Sequence, residues 1–130
     1  MSGSGVKFDA GKPRLGLIPR SALEAEATVL GFGADKYGVY NWRNGMDWMR
    51  LVDAALRHIY AFADGETFDP ESGEHHLAHA RCCLGFLIEY GRIHPEGDNR
   101  HVNQQKAQQD RAQLTKPVAA NDSYPDRQDA

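Results

Sequence analysis

Apolar positions recur at helical spacing in three stretches of the chain. The first opens at Ser21, where Ser21-Ala22-Leu23-Glu24 has the form of a capping box, and Leu23, Ala27, Leu30 and Ala34 then share one face up to Gly38. Pro19 marks the loop boundary before it. The second begins near Asp47 and carries Leu51, Val52, Ala55, Leu56, Ile59 and Phe62 to Gly65, which stands where a left-handed C-terminal residue is expected. The third starts after Ser72-Gly73 and runs to Tyr90, with Leu77, Ala80, Leu84, Leu87 and Ile88 on one side and Ala78, Cys82, Cys83 and Phe86 around the rest. A helix apolar on nearly every side is buried on nearly every side. Period-two alternation bounded by turn residues is absent, so almost no sheet is expected.

This pattern predicts an all-α fold: a small helical bundle with an N-terminal loop region in front of it. Three short helices do not cover the third, so a homodimer or homotetramer with four-helix-type packing is expected to complete the bundle. The pattern breaks near Gly91. Residues 1–91 read as the folded domain. Residues 92–130, with three prolines, six glutamines and no apolar period, read as a polar tail, disordered or partly helical around Gln104 to Leu114.

Composition narrows the picture. The 130 residues suit one compact domain, and no run approaches the roughly 18 to 20 apolar residues of a membrane span. The opening Met1-Ser2-Gly3-Ser4-Gly5 lacks the basic flank and apolar run of a signal peptide, so a cytoplasmic protein is expected. Residues 1–91 hold 9 Lys and Arg against 12 Asp and Glu, and residues 92–130 hold 6 of each. Neither part is a basic arm, which argues against long nucleic acid and leaves room for a small anion bound through metal ions. Cys82 and Cys83 are adjacent and read as small buried apolar residues.

The chemistry concentrates between Gly65 and His79, where four carboxylates and three imidazoles fall within fifteen residues. His79 lies three residues after His76 and four after His75, so on a helix it shares a face with both. Glu66, Asp69 and Glu71 precede them, and oxygen and imidazole donors converging there make a divalent-cation site. The competing readings are structural: acidic groups complementing a helix dipole, Ser72 as a cap, and histidines satisfying buried hydrogen bonds. Zinc is the weaker option, because adjacent cysteines on a helix point about 100° apart. Arg57 either holds phosphate or pairs with Asp53 one turn earlier; His58 is equally open. Glu24 and Glu26 are further carboxylates, ranked behind this group, and Glu26 stands where an apolar residue is expected. Two loop regions, Lys7 to Arg14 and Gly33 to Arg43, mix cations with aromatics, which suits either a nucleotide or solvated turns with anchoring rings.

Taken in order, Lys7-Phe8-Asp9 with Gly11-Lys12-Pro13, Leu17-Ile18-Pro19, Phe32-Gly33-Ala34 with Lys36-Tyr37, Asn41-Trp42-Arg43, Arg57-His58, Gly65-Glu66, Asp69-Pro70-Glu71-Ser72-Gly73 and His76-Leu77-Ala78-His79-Ala80 resemble the phage-type dATP/dGTP diphosphohydrolase family over residues 6–91. That family, with its MazZ-type members, is similar to the MazG-like all-alpha nucleotide pyrophosphohydrolases. The resemblance implies metal-dependent cleavage of a purine deoxynucleoside triphosphate to monophosphate and pyrophosphate by a helical oligomer. The third helix departs from the MazG-like carboxylate pairs by offering His76 and His79. The implied metal residues are Glu66, Asp69, Glu71, His76 and His79, with Glu66, Asp69, Glu71 and His79 catalytic and Mg2+ or Mn2+, with Co2+ as a softer choice, as the ion. The implied substrate contacts are Lys12, Arg14, Lys36 and Arg57 on phosphate, Tyr37, Asn41 and Trp42 on base or sugar, and His58 beside them. The rival classes are an HD-type phosphohydrolase, whose adjacent His-Asp pair is missing, and a non-enzymatic helical oligomer that binds a nucleotide or protein.

Overall fold

A computed structural model describes residues 3–101 and 103–115. Its helices are α1 (Arg20–Tyr37), α2 (Trp48–Ala63), α3 (His76–Ile93) and α4 (Gln104–Leu114), with short 3-10 turns at Leu15–Leu17, Asn41–Asn44 and Pro95–Gly97. Among the described residues the only strand-like pairing is an isolated antiparallel bridge between Phe68 and His75. The all-α expectation holds, and no described helix is long and apolar enough to cross a membrane.

α3 is the central element, and α1 and α2 both pack on it. One core cluster joins Val29 of α1 to Ala78 and Cys82 of α3, with Ala25 and Phe86 against it. The other joins Trp48 and Leu51 of α2 to Tyr90 of α3, flanked by Trp42, Met46, Cys83, Phe86 and Leu87. Tyr90 is fully buried, and its hydroxyl donates to the Trp42 carbonyl at 2.5 Å. Trp42 in turn stacks on Phe86, 4.6 Å between centroids and 15° between planes. Burying rings of this size contributes about 4–6 kcal/mol each before chain entropy is counted, so this seam fixes the loop from α1 to α2 onto α3. Both cysteines are free, as expected of apolar fillers; burial pushes the Cys82 thiol up to about 12 and raises that of Cys83.

Three sequence expectations need correction at the helix ends. The capping box at Ser21 is not made. The helix starts one residue earlier, with Pro19 as N-cap and no side-chain cap, and Glu24 pairs instead with Arg20 at 3.1 Å. α3 starts at His76, later than Ser72-Gly73 indicated, because residues 67–75 form a short hairpin-like turn first. It ends at Ile93, beyond Tyr90.

The polar stretch after Gly91 folds back on the core as far as Thr115. The helix expected around Gln104 to Leu114 is present as α4, with Ala107 buried. Its anchor is ionic. The Asp98 side chain is 1% exposed, and it accepts from Arg100 at 2.8 Å through both oxygens and from Arg111 of α4. Gly97 permits the approach, since a Cβ there would meet the Met46 carbonyl at 2.9 Å and the Trp48 ring at 3.1 Å. The tail expectation for residues 116–130 lies outside the described residues.

α1 and α2 lean on α3 with little contact between themselves, and the space between them is a cavity of about 1150 Å3. As expected, one chain alone does not cover α3: Leu84 is 47% and Ile88 74% exposed.

Candidate active site

The end of α2 sets the first side chain. Gly65, at φ 105°, donates its N–H to the Phe62 carbonyl, and Glu66 donates to Ala61, the two bonds of a Schellman motif. The expected left-handed Gly65 is therefore present, and it turns the chain so that Glu66 Oε1 lies 2.6 Å from His76 Nε2 at the start of α3. The turn between them closes on itself: His76 donates its amide to Thr67, Asp69 to Glu74, and Gly73, at φ 75°, to Asp69. Asp69 Oδ1 accepts the amides of Glu71 at 2.7 Å and Ser72 at 3.3 Å, the self-bonding pattern of an Asx turn. Its Oδ2 points toward His58 Nδ1, 3.7 Å away.

His58, from the last turns of α2, completes the group. Its Nδ1 lies 2.9 Å from His76 Nδ1. One donor atom from each of His58, Asp69 and His76 lies within 4.8 Å of the others. Two donors about 2.1 Å from one ion stand about 3.0 Å apart at a right angle and about 3.4 Å apart at a tetrahedral one. The observed spacings bracket those values. His76 holds its Nε2 proton against Glu66, which leaves Nδ1 as a lone pair, and a carboxylate behind a ligating imidazole is the usual outer support of a metal site. The donor chemistry thus fits a divalent cation, and two nitrogens with one oxygen favour a softer ion than magnesium.

His79 lies flat on His58, 4.5 Å between centroids and 6° between planes, with Nε2 2.6 Å from the Ser72 hydroxyl. Ser72 does not cap α3; its oxygen accepts the Glu74 amide. Burial first, then neighbouring imidazole charge, lowers the pKa of His58, and burial lowers that of His79 against the opposing pull of Asp69. Burial pushes Asp69 upward, but the Glu71 and Ser72 amides and the two imidazoles outweigh it and hold the carboxyl low. These shifts favour neutral His58 and His79 beside an ionised Asp69.

The sequence comparisons show the family. A family model described as "dATP/dGTP diphosphohydrolase, N-terminal" matches residues 2–100. The chain belongs to that family. A dATP/dGTP diphosphohydrolase of Salmonella phage PMBT28 is 40% identical over 97 residues, covering 75% of this chain and 33% of the relative. The chain thus spans about one third of the length of that relative. No solved structure matches. The family span includes every residue lining the cavity and runs past Gly91 to take in Asp98.

Against that family frame, Asp69 and His76 meet as donors, with His58 as the third. Glu66 stands behind His76. Glu71 is exposed and bonded to Lys36 at 2.5 Å, bridging the turn to the end of α1. Lys36, Tyr37, Asn41, Trp42, Arg57 and His58 all line the cavity, together with Asp69, Glu71 and His79. Lys12 and Arg14 lie in the N-terminal loop outside that lining. The Asp53–Arg57 ion pair does not form; Arg57 instead lies near Cys83 on the cavity side. His75, expected on a shared face with His79, is the N-cap of α3 with extended backbone. Its Nδ1 accepts the Leu77 amide, and its ring lies against Phe62 and Phe68. Sequence reasoning missed Arg50 in the lining and underrated His58 and Glu26. Helical spacing from Arg57 and Asp53 signals Arg50, whereas His58 meets the others only through tertiary packing.

Proposed function

We propose that this domain hydrolyses purine deoxynucleoside triphosphates, dGTP and dATP, to the monophosphate and pyrophosphate with a divalent cation. The observation that carries the reading is the convergence of His58, Asp69 and buried His76, the first two of which line a cavity that also presents Lys36, Arg50 and Arg57. Membership of a diphosphohydrolase family supports it. His58, Asp69 and His76 would hold the ion, manganese or cobalt before magnesium, with Glu66 fixing His76. Bound there, it would neutralise polyphosphate charge and make nearby water more acidic. Lys36, released from Glu71, and Arg57 clamp phosphate oxygens, with Lys12 and Arg14 approaching from the N-terminal loop. Water attacks the α-phosphorus and the bond to the bridging oxygen breaks. The water's proton passes to Ser72 Oγ as that hydroxyl gives its own to His79 Nε2, and pyrophosphate departs with the bonding electrons. Tyr37, Asn41 and Trp42 border the sugar and base.

In this reading the protein acts on the nucleotide pool in the cytoplasm of a phage-infected host. It works as a homodimer or homotetramer that covers Leu84 and Ile88 of α3. Light scattering on purified protein tests the assembly; a monomer at micromolar concentration removes it.

The deciding experiment incubates the protein with each of the four deoxynucleoside triphosphates and Mn2+, Co2+ or Mg2+, then separates products. Pyrophosphate and monophosphate are expected. Inorganic phosphate or intact tripolyphosphate as the released product overturns the reaction. His58→Ala should abolish turnover, and Glu66→Ala should reduce it about 10–100-fold by freeing His76.

A further inference from the structure

Glu26 is a carboxylate on the face of α1 turned toward α3, in the cavity wall beside Val29, Cys82, Gly85 and Phe86. Arg81 of α3 donates Nε to its Oε1 at 3.0 Å, and the Cys82 thiol donates to its backbone carbonyl at 3.4 Å. The ion pair leaves Oε2 over Gly85, 3.4 Å from where a Cβ would stand. A half-buried carboxylate, aimed by one partner and facing a floor without a side chain, can receive hydrogen-bond donors.

Its place along α3 says which donors. Gly85 lies six residues beyond His79, about 9 Å along the helix axis. That is comparable to the distance from the α-phosphate to the far edge of the base in an extended deoxynucleotide. A triphosphate held near His79 and Asp69 therefore carries its base to Glu26, beside the cavity-lining edges of Val29, Cys82 and Phe86. Guanine presents there an N1–H and a 2-amino group side by side, two donors for a carboxylate. Adenine presents an N1 lone pair that a carboxylate repels, beside a single amino donor.

We infer that Glu26, aimed by Arg81 over Gly85, is the specificity-determining residue that reads the guanine edge, so this chain favours dGTP over dATP. The inference rests on the nucleotide reading of the cavity but not on its hydrolytic step. Two variants test it. Glu26→Gln removes one acceptor; Gly85→Ala places a methyl in ordinary contact with Oε2 and leaves the Arg81 pair intact. Each should lower kcat/KM for dGTP about 10–100-fold, with dATP changed less than about 3-fold. In the wild-type protein, dITP, which lacks the 2-amino group, should fall below dGTP, and that gap should close in Glu26→Gln. Calorimetric binding of dGMP and dAMP gives the same comparison without turnover. A guanine preference in binding, lost in both variants, supports Glu26 even if no triphosphate is hydrolysed, which would sink only the reaction. An unchanged dGTP to dATP ratio in both variants overturns it. So does an equal loss on every nucleotide with a lowered Tm, which would make Glu26 a helix-pairing residue alone, and so does a wild-type protein that binds neither monophosphate.

Discussion

His58 and His76 meet through their Nδ1 atoms because Glu66 occupies the other nitrogen of His76, so the arrangement turns on one carboxylate outside the pair. A cation that binds only the native state stabilises it by mass action, so Mn2+ at 100 times its Kd should add about 2.7 kcal/mol. Thermal unfolding with and without Mn2+ measures this, and Tm of His58→Ala should not respond to the ion. Asp98 is the matching residue at the other end of the fold, its carboxyl held well below the usual range by Arg100 first and then Arg111. Asp98→Asn should cost about 1.5–3 kcal/mol in urea unfolding, because two guanidinium groups lose their acceptor. The protonation shifts fix the sign of the pH dependence. His58 and His79 have folded values below the ordinary 6.5, so the unfolded chain takes up protons first and stability falls as pH drops below that value. Asp69 and Asp98, also depressed, stabilise above about pH 3.8 and lose this as pH falls through their folded values. Tm measured from pH 7.5 to 3 should therefore decline in two stages; a Tm rising between pH 7 and 5 contradicts the lowered histidines.

At the level of elements, α2 and α3 carry the molecule, and Tyr90 is where they lock. Tyr90→Phe should cost about 1 kcal/mol by leaving the Trp42 carbonyl unbonded, and Tyr90→Ala about 3–5 by opening a cavity. Chemical denaturation separates the two. Gly97→Ala should cost about 1–3 kcal/mol, since a backbone carbonyl and an indole cannot both move aside. The helices themselves were readable because an apolar stripe at period 3.6 survives in α2 and α3 and because Gly65 and Gly38 stop α2 and α1. The start of α2 was readable at Asp47, but those of α1 and α3 were not, because Pro19 and His75 serve as N-caps without belonging to the usual set, and an apparent Ser21–Glu24 box carries no information about a helix that begins at Arg20. Local density of carboxylates and imidazoles singled out Asp69 and His76, which the fold brings within reach of His58. It misled on His75, whose backbone is not yet helical, and on Glu71, which turns to Lys36 of α1, 35 residues earlier in the chain. The region after Gly91 looked unable to order because its anchor, Asp98 with two arginines, is ionic and leaves no apolar period.

At the scale of the described fold, α1 and α2 are propped against α3, with a gap where they face one another. Whatever fills that gap is a keystone. A ligand seated there would touch α1 and α2 at once, supplying contact that the polypeptide makes sparingly, and would hold α1 more firmly against the connection, Gly38 to Asp47, that Trp42 already pins to α3. Cleavage of that connection by a dilute protease should slow when a nucleotide is present, a mechanical report of occupancy that needs no chemistry to occur.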